Sequence, residues 1–178
     1  EAKTKMDKAI EVLKEDMKSL RTGRASTGLV ENIKVDYYGN PTPMKQLATL
    51  AAPQPDMVVI KPFDPSSVKD IEKAIKNSDL SIAPIVDGKM IRLSIPPLSE
   101  ERRQQLTSQA KQMGEQTKIS IRNIRRDANK QLEKEEKDSV ITEDDLDLGK
   151  KQIDDITKQH SDNVDQMIEH KSEEIMTS

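Results

Sequence analysis

All nine prolines of this 178-residue chain fall between Pro41 and Pro97. Proline removes a backbone donor and its ring clashes with the preceding turn, so long helices are excluded inside that span and permitted on both sides of it. On the N-terminal side, Met6, Ile10, Leu13, Met17 and Leu20 recur at alternating spacings of four and three with Lys and Glu between them. That pattern predicts an amphipathic helix ending near Gly23 or Gly28. After Pro96-Pro97, Ser99 with Glu100 and Glu101 supplies an N-cap and an acidic first turn. Leu106, Ala110, Met113, Thr117, Ile121, Ile124, Ala128 and Leu132 then mark one stripe of a helix expected from about Ser99 to Asp138, roughly 58 Å at 1.5 Å per residue. Thr142 and Asp145 resemble a capping box opening a last helix, with Ile153, Ile156, His160, Val164, Met167 and Ile175 on one side. A lone helix with so narrow a stripe buries little, so the three are expected to form a long antiparallel three-helix bundle.

Within the proline span the periodicity changes. Ile33, Val35 and Tyr37 alternate with Lys34 and Asp36 before Gly39-Asn40-Pro41, as in a strand running into a turn. Met57-Val58-Val59-Ile60 predicts a buried strand. Asp64-Pro65 predicts an N-cap and first helical position, with Val68, Ile71 and Ile75 continuing a short helix toward Asn77. Ile82 to Val86 and Met90 to Ile95 predict two strands joined by an Asp87-Gly88 turn. The fold class is therefore α+β: a small domain over residues 32–96 inserted into a helical bundle of residues 1–28 plus 99–178. Two connecting segments, 28–32 and 96–99, contain Gly28, Pro96 and Pro97. They form a hinge or merely cap the helices, and both readings stay open. Tyr37, Tyr38 and Phe63 are the only aromatic residues, so any aromatic-anchored core is confined to this region.

The chain has no Cys and no Trp, which excludes disulfides and thiolate-bound metal and fits the cytosol. No apolar run reaches the ~18 residues of a membrane span, and no signal or transit pattern opens the sequence, so a soluble intracellular protein is expected. The net charge of −3 hides an asymmetry. Between Arg102 and Lys130 eight Lys or Arg stand against Glu115 and Asp127, a net +6; from Glu133 to Ser178 six Lys stand against fifteen acids, a net −9. Local field rather than overall charge governs steering. With Ile121 as origin, Lys111, Lys118, Arg122, Arg125 and Arg126 fall between roughly 40° and 140° around the helix, beside the apolar stripe. A run of charge on a helix is ordinarily a solvated face. Here neighbouring acids are too few to neutralise it and arginine, whose planar fork suits phosphate, dominates. Arg125, nearest the apolar stripe, is the best held.

Arg21 and Arg24, flanking Thr22-Gly23, either favour the macrodipole at the end of the first helix or extend the basic surface. His160 falls on an apolar stripe and is expected in the core; ten residues from His170, it makes no metal pair. Glu143, Asp144, Asp145 and Asp147 lack the spacing and glycine of an EF-hand loop. No glycine-rich phosphate loop and no nucleophile with a credible His base is present, so neither catalysis nor a cofactor or metal is expected. A scaffold binding proteins through its acidic last helix is the competing class.

Five segments resemble the ribosome recycling factor family: Leu20-Arg21-Thr22-Gly23-Arg24-Ala25-Ser26, Val35-Asp36-Tyr37-Tyr38-Gly39, Glu72-Lys73-Ala74-Ile75 through Asn77-Ser78-Asp79-Leu80, Leu98-Ser99-Glu100-Glu101-Arg102-Arg103, and Ile121-Arg122-Asn123-Ile124-Arg125-Arg126-Asp127. They occur in the family's order across nearly the whole chain. The resemblance implies an L-shaped protein of tRNA-like outline, with a three-helix bundle and a small β/α/β domain on a flexible hinge. It implies a cytoplasmic monomer that binds the large ribosomal subunit and its rRNA after peptide release. Elongation factor G with GTP then acts with it to split the subunits, releasing mRNA and tRNA for a new round of translation. Arg125 matches the family's key ribosome-binding arginine, Arg122 and Arg126 flank it, and Arg21 and Arg24 match the basic pair of the first helix. The small domain would face elongation factor G. Where the family's pattern has Gly after Ser-Asp-Leu and Asn before the next Pro, this chain has Ser81 and Ala83. Its first residue falls a few positions into the family's first helix, as expected of a trimmed or disordered start.

Overall fold

A computed structural model of the chain describes residues 1–177. In chain order its elements are α1 (Ala2–Ser19), β1 (Lys34–Tyr37), β2 (Asn40–Pro43), α2 (Met44–Leu47), β3 (Ala48–Gln54), β4 (Met57–Pro62), α3 (Val68–Lys76), β5 (Pro84–Asp87), β6 (Met90–Ser94), α4 (Glu100–Lys137) and α5 (Glu143–Thr177). Single 3-10 turns cover Thr27–Leu29 and Pro65–Ser67. Two compact units result. One joins Glu1–Met17 to Thr107–Glu173; the other joins Lys18–Leu106 to the chain from Glu174 onward.

The first unit is the three-helix bundle. Met6, Leu13 and Met17 of α1, Ala110 and Ile121 of α4 and Val164 of α5 are buried. α4 and α5 run antiparallel, with Lys118 beside Asp165 at one level and Lys150 2.8 Å from Glu133 at another. They approach closely at Gly114, where a Cβ would stand 2.1 Å from Ile168 Cδ1, and at Gly149, where it would stand 2.8 Å from Leu132 Cδ1. His160 is buried as expected, its ring nitrogens 2.8 Å from the Ile156 carbonyl and 2.7 Å from the Asp7 carboxylate of α1. At the start of α5 the capping box forms: the Asp145 N–H donates to Thr142 Oγ1 at 3.1 Å, and the Thr142 N–H donates back to Asp145 at 3.1 Å.

The second unit holds an antiparallel β1-β2 pair and an antiparallel sheet of order β3-β4-β6-β5. Val35, Met44, Val58, Ile60, Ile91 and Leu93 make its core together with Val68, Ile71 and Ile75 of α3. Asp64 caps the turn leading into α3, accepting from the Ser66 N–H at 2.9 Å, and Pro65 follows it.

Several local features depart from the sequence reading. α1 stops at Ser19, ahead of both glycines. β2, α2 and β3 have no counterpart in it, because Pro41 and Pro43 lie in β2 and Pro53 in β3. β3 is an edge strand, where a missing N–H leaves no ladder bond unmade. Of the three aromatic residues, Tyr37 is half-buried, packs against the core and donates to Asp64 at 3.1 Å, while Tyr38 is 78% and Phe63 68% exposed. The core there is aliphatic.

Candidate nucleic-acid interface

The basic stripe of α4 does not present a uniform field. Lys118 is only 17% exposed; it pairs with Asp165 of α5 and lies 3.4 Å from Glu115. Asp165 first, and Glu115 after it, hold its ammonium above the ordinary lysine value. Lys118 is thus largely neutralised. One and two turns on, Arg122, Arg125 and Arg126 are exposed, and none makes a hydrogen bond or ion pair among the described residues. Asp127 stands about 120° from Ile121 in the opposite sense, away from the stripe. It faces α1, where Glu1 chiefly, with a smaller pull from Asp127, raises Lys5. Of the two acids that opposed the stripe by sequence, Asp127 is directed away from it and Glu115 lies against Lys118, so the charge left uncompensated is that of Arg122, Arg125 and Arg126, with the exposed Lys111 two turns before Lys118. Ile121, fully buried between them and the core, holds this part of the helix in place.

Arg21 and Arg24 lie in the second unit. Arg24 is exposed, whereas Arg21 is half-buried and its guanidinium donates to the Pro96 carbonyl. Burial, with Arg102 adding repulsion, lowers the Arg21 pKa. Its Nε is buried without a hydrogen-bond partner among the described residues. A side chain so placed ties the Pro96-Pro97 segment to the chain after α1, a role that sequence could not distinguish from a free basic spot. The Arg103 guanidinium similarly donates to the Ile175 carbonyl at 2.7 Å, satisfying an acceptor in the last turn of α5 at its negative dipole end. Gly28 is buried in the 3-10 turn; a Cβ there would meet the Lys18 carbonyl at 3.0 Å, a close approach that the backbone would have to relax by a few tenths of an ångström to accommodate. Leu29 and Val30 beside it enter the core. Segments 28–32 and 96–99 both lie within the second unit, and the units divide along the long helices.

His170 is exposed, and among the described residues no group of three His, Cys, Asp or Glu is placed to hold a metal ion. Glu143, Asp144 and Asp145 occupy the first turn of α5, where the helix dipole favours acids. No described helix is long and apolar enough to cross a membrane.

Three long helices, one of them carrying arginines without a partner among the described residues, interrupted by an antiparallel sheet unit, define an α+β protein of helical-bundle type with a basic helix surface. Residues 13–176 match the family model described as ribosome recycling factor. The chain is 47% identical over 174 residues to the ribosome-recycling factor of Pelobacter propionicus, covering 98% of this chain and 94% of that protein. It is 48% identical over 172 residues to that of Alkaliphilus metalliredigens, covering 97% and 93%. A solution structure of ribosome recycling factor superposes with a TM-score of 0.77 at 38% identity, covering 99% of this chain and 94% of that one. The chain belongs to the ribosome recycling factor family. A further structure, of the Thermus thermophilus factor described as bound with Escherichia coli elongation factor G to the post-termination complex, matches with a TM-score of 0.67 at 40% identity, covering 98% and 94%.

Proposed function

We propose that this chain binds the post-termination ribosome through large-subunit rRNA and, with GTP-bound elongation factor G, splits the subunits so that mRNA and tRNA are released. Family membership supports the first half, and the relative bound with elongation factor G to a post-termination complex supports the second. The single observation that carries the contact is the trio Arg122, Arg125 and Arg126, exposed and without a partner among the described residues, on a helix whose other face is buried. Guanidinium groups held this way on a rigid element offer bidentate donors to phosphate without first breaking an ion pair. Lys118 would add little, since binding through it must displace Asp165. Arg24 is free to extend the contact, and Arg21 would act through the segment it holds. The protein would supply no catalysis of its own; it would act as a cytoplasmic monomer whose rigid bundle carries force generated by the GTPase.

Binding to isolated large subunits over a salt series tests this. Affinity should fall with log salt by about 0.7–0.9 per neutralised phosphate, Arg125→Ala should weaken it by about tenfold at matched salt, and Lys118→Ala should change it little. Affinity unchanged in Arg125→Ala, with helicity intact, would refute the assignment.

A further inference from the structure

The register between α4 and α5 points to a second contributor to the same surface. Lys118–Asp165 and Glu133–Lys150 are both cross-helix ion pairs, and along antiparallel helices a step forward on one matches a step back on the other. Seven residues on from Lys118 is Arg125; seven back from Asp165 is Lys158. Seven residues return to nearly the same side of a helix, about 20° short of two full turns, and about 10.5 Å further along. Arg125 and Lys158 therefore occupy the positions that Lys118 and Asp165 occupy two turns away. Where that level has opposite charges in contact, this one has two cations.

Both are exposed, and neither makes a hydrogen bond or ion pair among the described residues. Asp154, Asp155 and Asp162 lie about a turn from Lys158 on its own helix, yet none forms an ion pair with it among the described residues. Like charges facing each other across a helix pair destabilise the free protein unless an anion sits between them. We propose that Lys158 and Arg125 form a two-helix clamp on one RNA phosphodiester, with Arg122 on the flank, so that α5 joins α4 in holding the nucleic acid despite its acidic composition. The clamp rests on the proposed rRNA contact and adds to it a residue from a different helix.

The test uses the full chain and isolated large ribosomal subunits, with Arg125→Ala, Lys158→Gln and Lys158→Glu compared by salt-dependent affinity and by thermal melting. Lys158→Gln should lower affinity by about tenfold and reduce the salt slope by about 0.7–0.9, the share of one phosphate contact. Lys158→Glu should bind more weakly still, yet melt no lower than the parent, since its carboxylate would restore the opposite-charge pairing seen at Lys118. If Arg125→Ala weakens binding and both Lys158 variants bind as the parent does, the clamp is overturned while the rRNA contact stands. If Arg125→Ala also binds as the parent, the contact itself fails and the clamp with it. A Lys158→Gln protein that loses affinity only in proportion to lost helicity would equally overturn it.

Discussion

Gly114 is a glycine in the middle of a 38-residue helix, where it would ordinarily be a defect. Replacing glycine by alanine in a helix interior stabilises by about 1 kcal/mol, because the backbone has less freedom to lose. At Gly114, however, the new Cβ would lie 2.1 Å from Ile168 Cδ1 and 2.5 Å from its Cγ1, with Val164 Cγ1 at 3.5 Å. Ordinary carbon contacts need about 3.5–4.0 Å, so Ile168 would have to retreat by more than 1 Å. A β-branched residue in a helix has essentially one χ1 rotamer, so the movement must come from an off-rotamer side chain or a shift of α5. Overpacking of that kind costs about 1–3 kcal/mol. The net expectation for Gly114→Ala is destabilisation of about 0–2 kcal/mol. Gly149→Ala supplies the contrast: its nearest obstruction is Leu132 Cδ1 at 2.8 Å, the far end of a flexible side chain, so most of the ~1 kcal/mol gain should survive. Urea unfolding monitored by circular dichroism would measure both. In an Ile168→Ala background, Gly114→Ala should switch sign and stabilise. If Gly114→Ala stabilises the parent as much as Gly149→Ala does, the close α4–α5 approach is refuted.

Two further outcomes can be measured directly. Ser81 has φ +54°, a left-handed conformation that suits the glycine of the family's pattern. Ser81→Gly should relieve strain of about 1 kcal/mol, offset in part by a more flexible unfolded chain; lower stability of the variant in urea unfolding would contradict this. Asp145 is held below its ordinary 3.8 by Thr142. A carboxyl whose folded pKa is depressed contributes stability that is present in full above its unfolded value and is lost as pH falls through the folded value. The first turn of α5 should therefore begin to lose protection below about pH 4, read as faster amide exchange at residues 143–146. Asp145→Asn should remove that pH dependence, and an identical profile in the variant would count against the cap.

The long elements were legible because their determinants are local. Nine clustered prolines bound the sheet region, the periodic stripes marked α1, α4 and α5, and Asp64-Pro65 and the Thr142–Asp145 box identified helix starts that the structure confirms hydrogen bond by hydrogen bond. β2 and β3 escaped the same reasoning because edge strands tolerate proline and bury one face weakly, leaving neither an absence of breakers nor clean alternation to detect. Which of the three aromatic residues reaches the core was not legible either, since large rings favour burial without requiring it: Tyr37 packs against the core, and Tyr38 and Phe63 do not.

The basic surface divides in the same way. From sequence alone came the one-sided run of Lys118, Arg122, Arg125 and Arg126, because 3.6-residue periodicity determines which side chains share a face. Only tertiary structure decided which of those charges remain available. Asp165 reaches Lys118 from another helix, Asp127 turns away toward α1, and Arg21 is drawn to the Pro96 carbonyl. Electrostatic availability depends on distances between elements remote in sequence, and Coulomb energy decays over a few ångströms in water. A helix pattern contains its own angles but no register with its neighbour; that register came only from the packed α4 and α5, through the Lys118–Asp165 and Glu133–Lys150 pairs, and the proposed partnership of Arg125 with Lys158 follows from it.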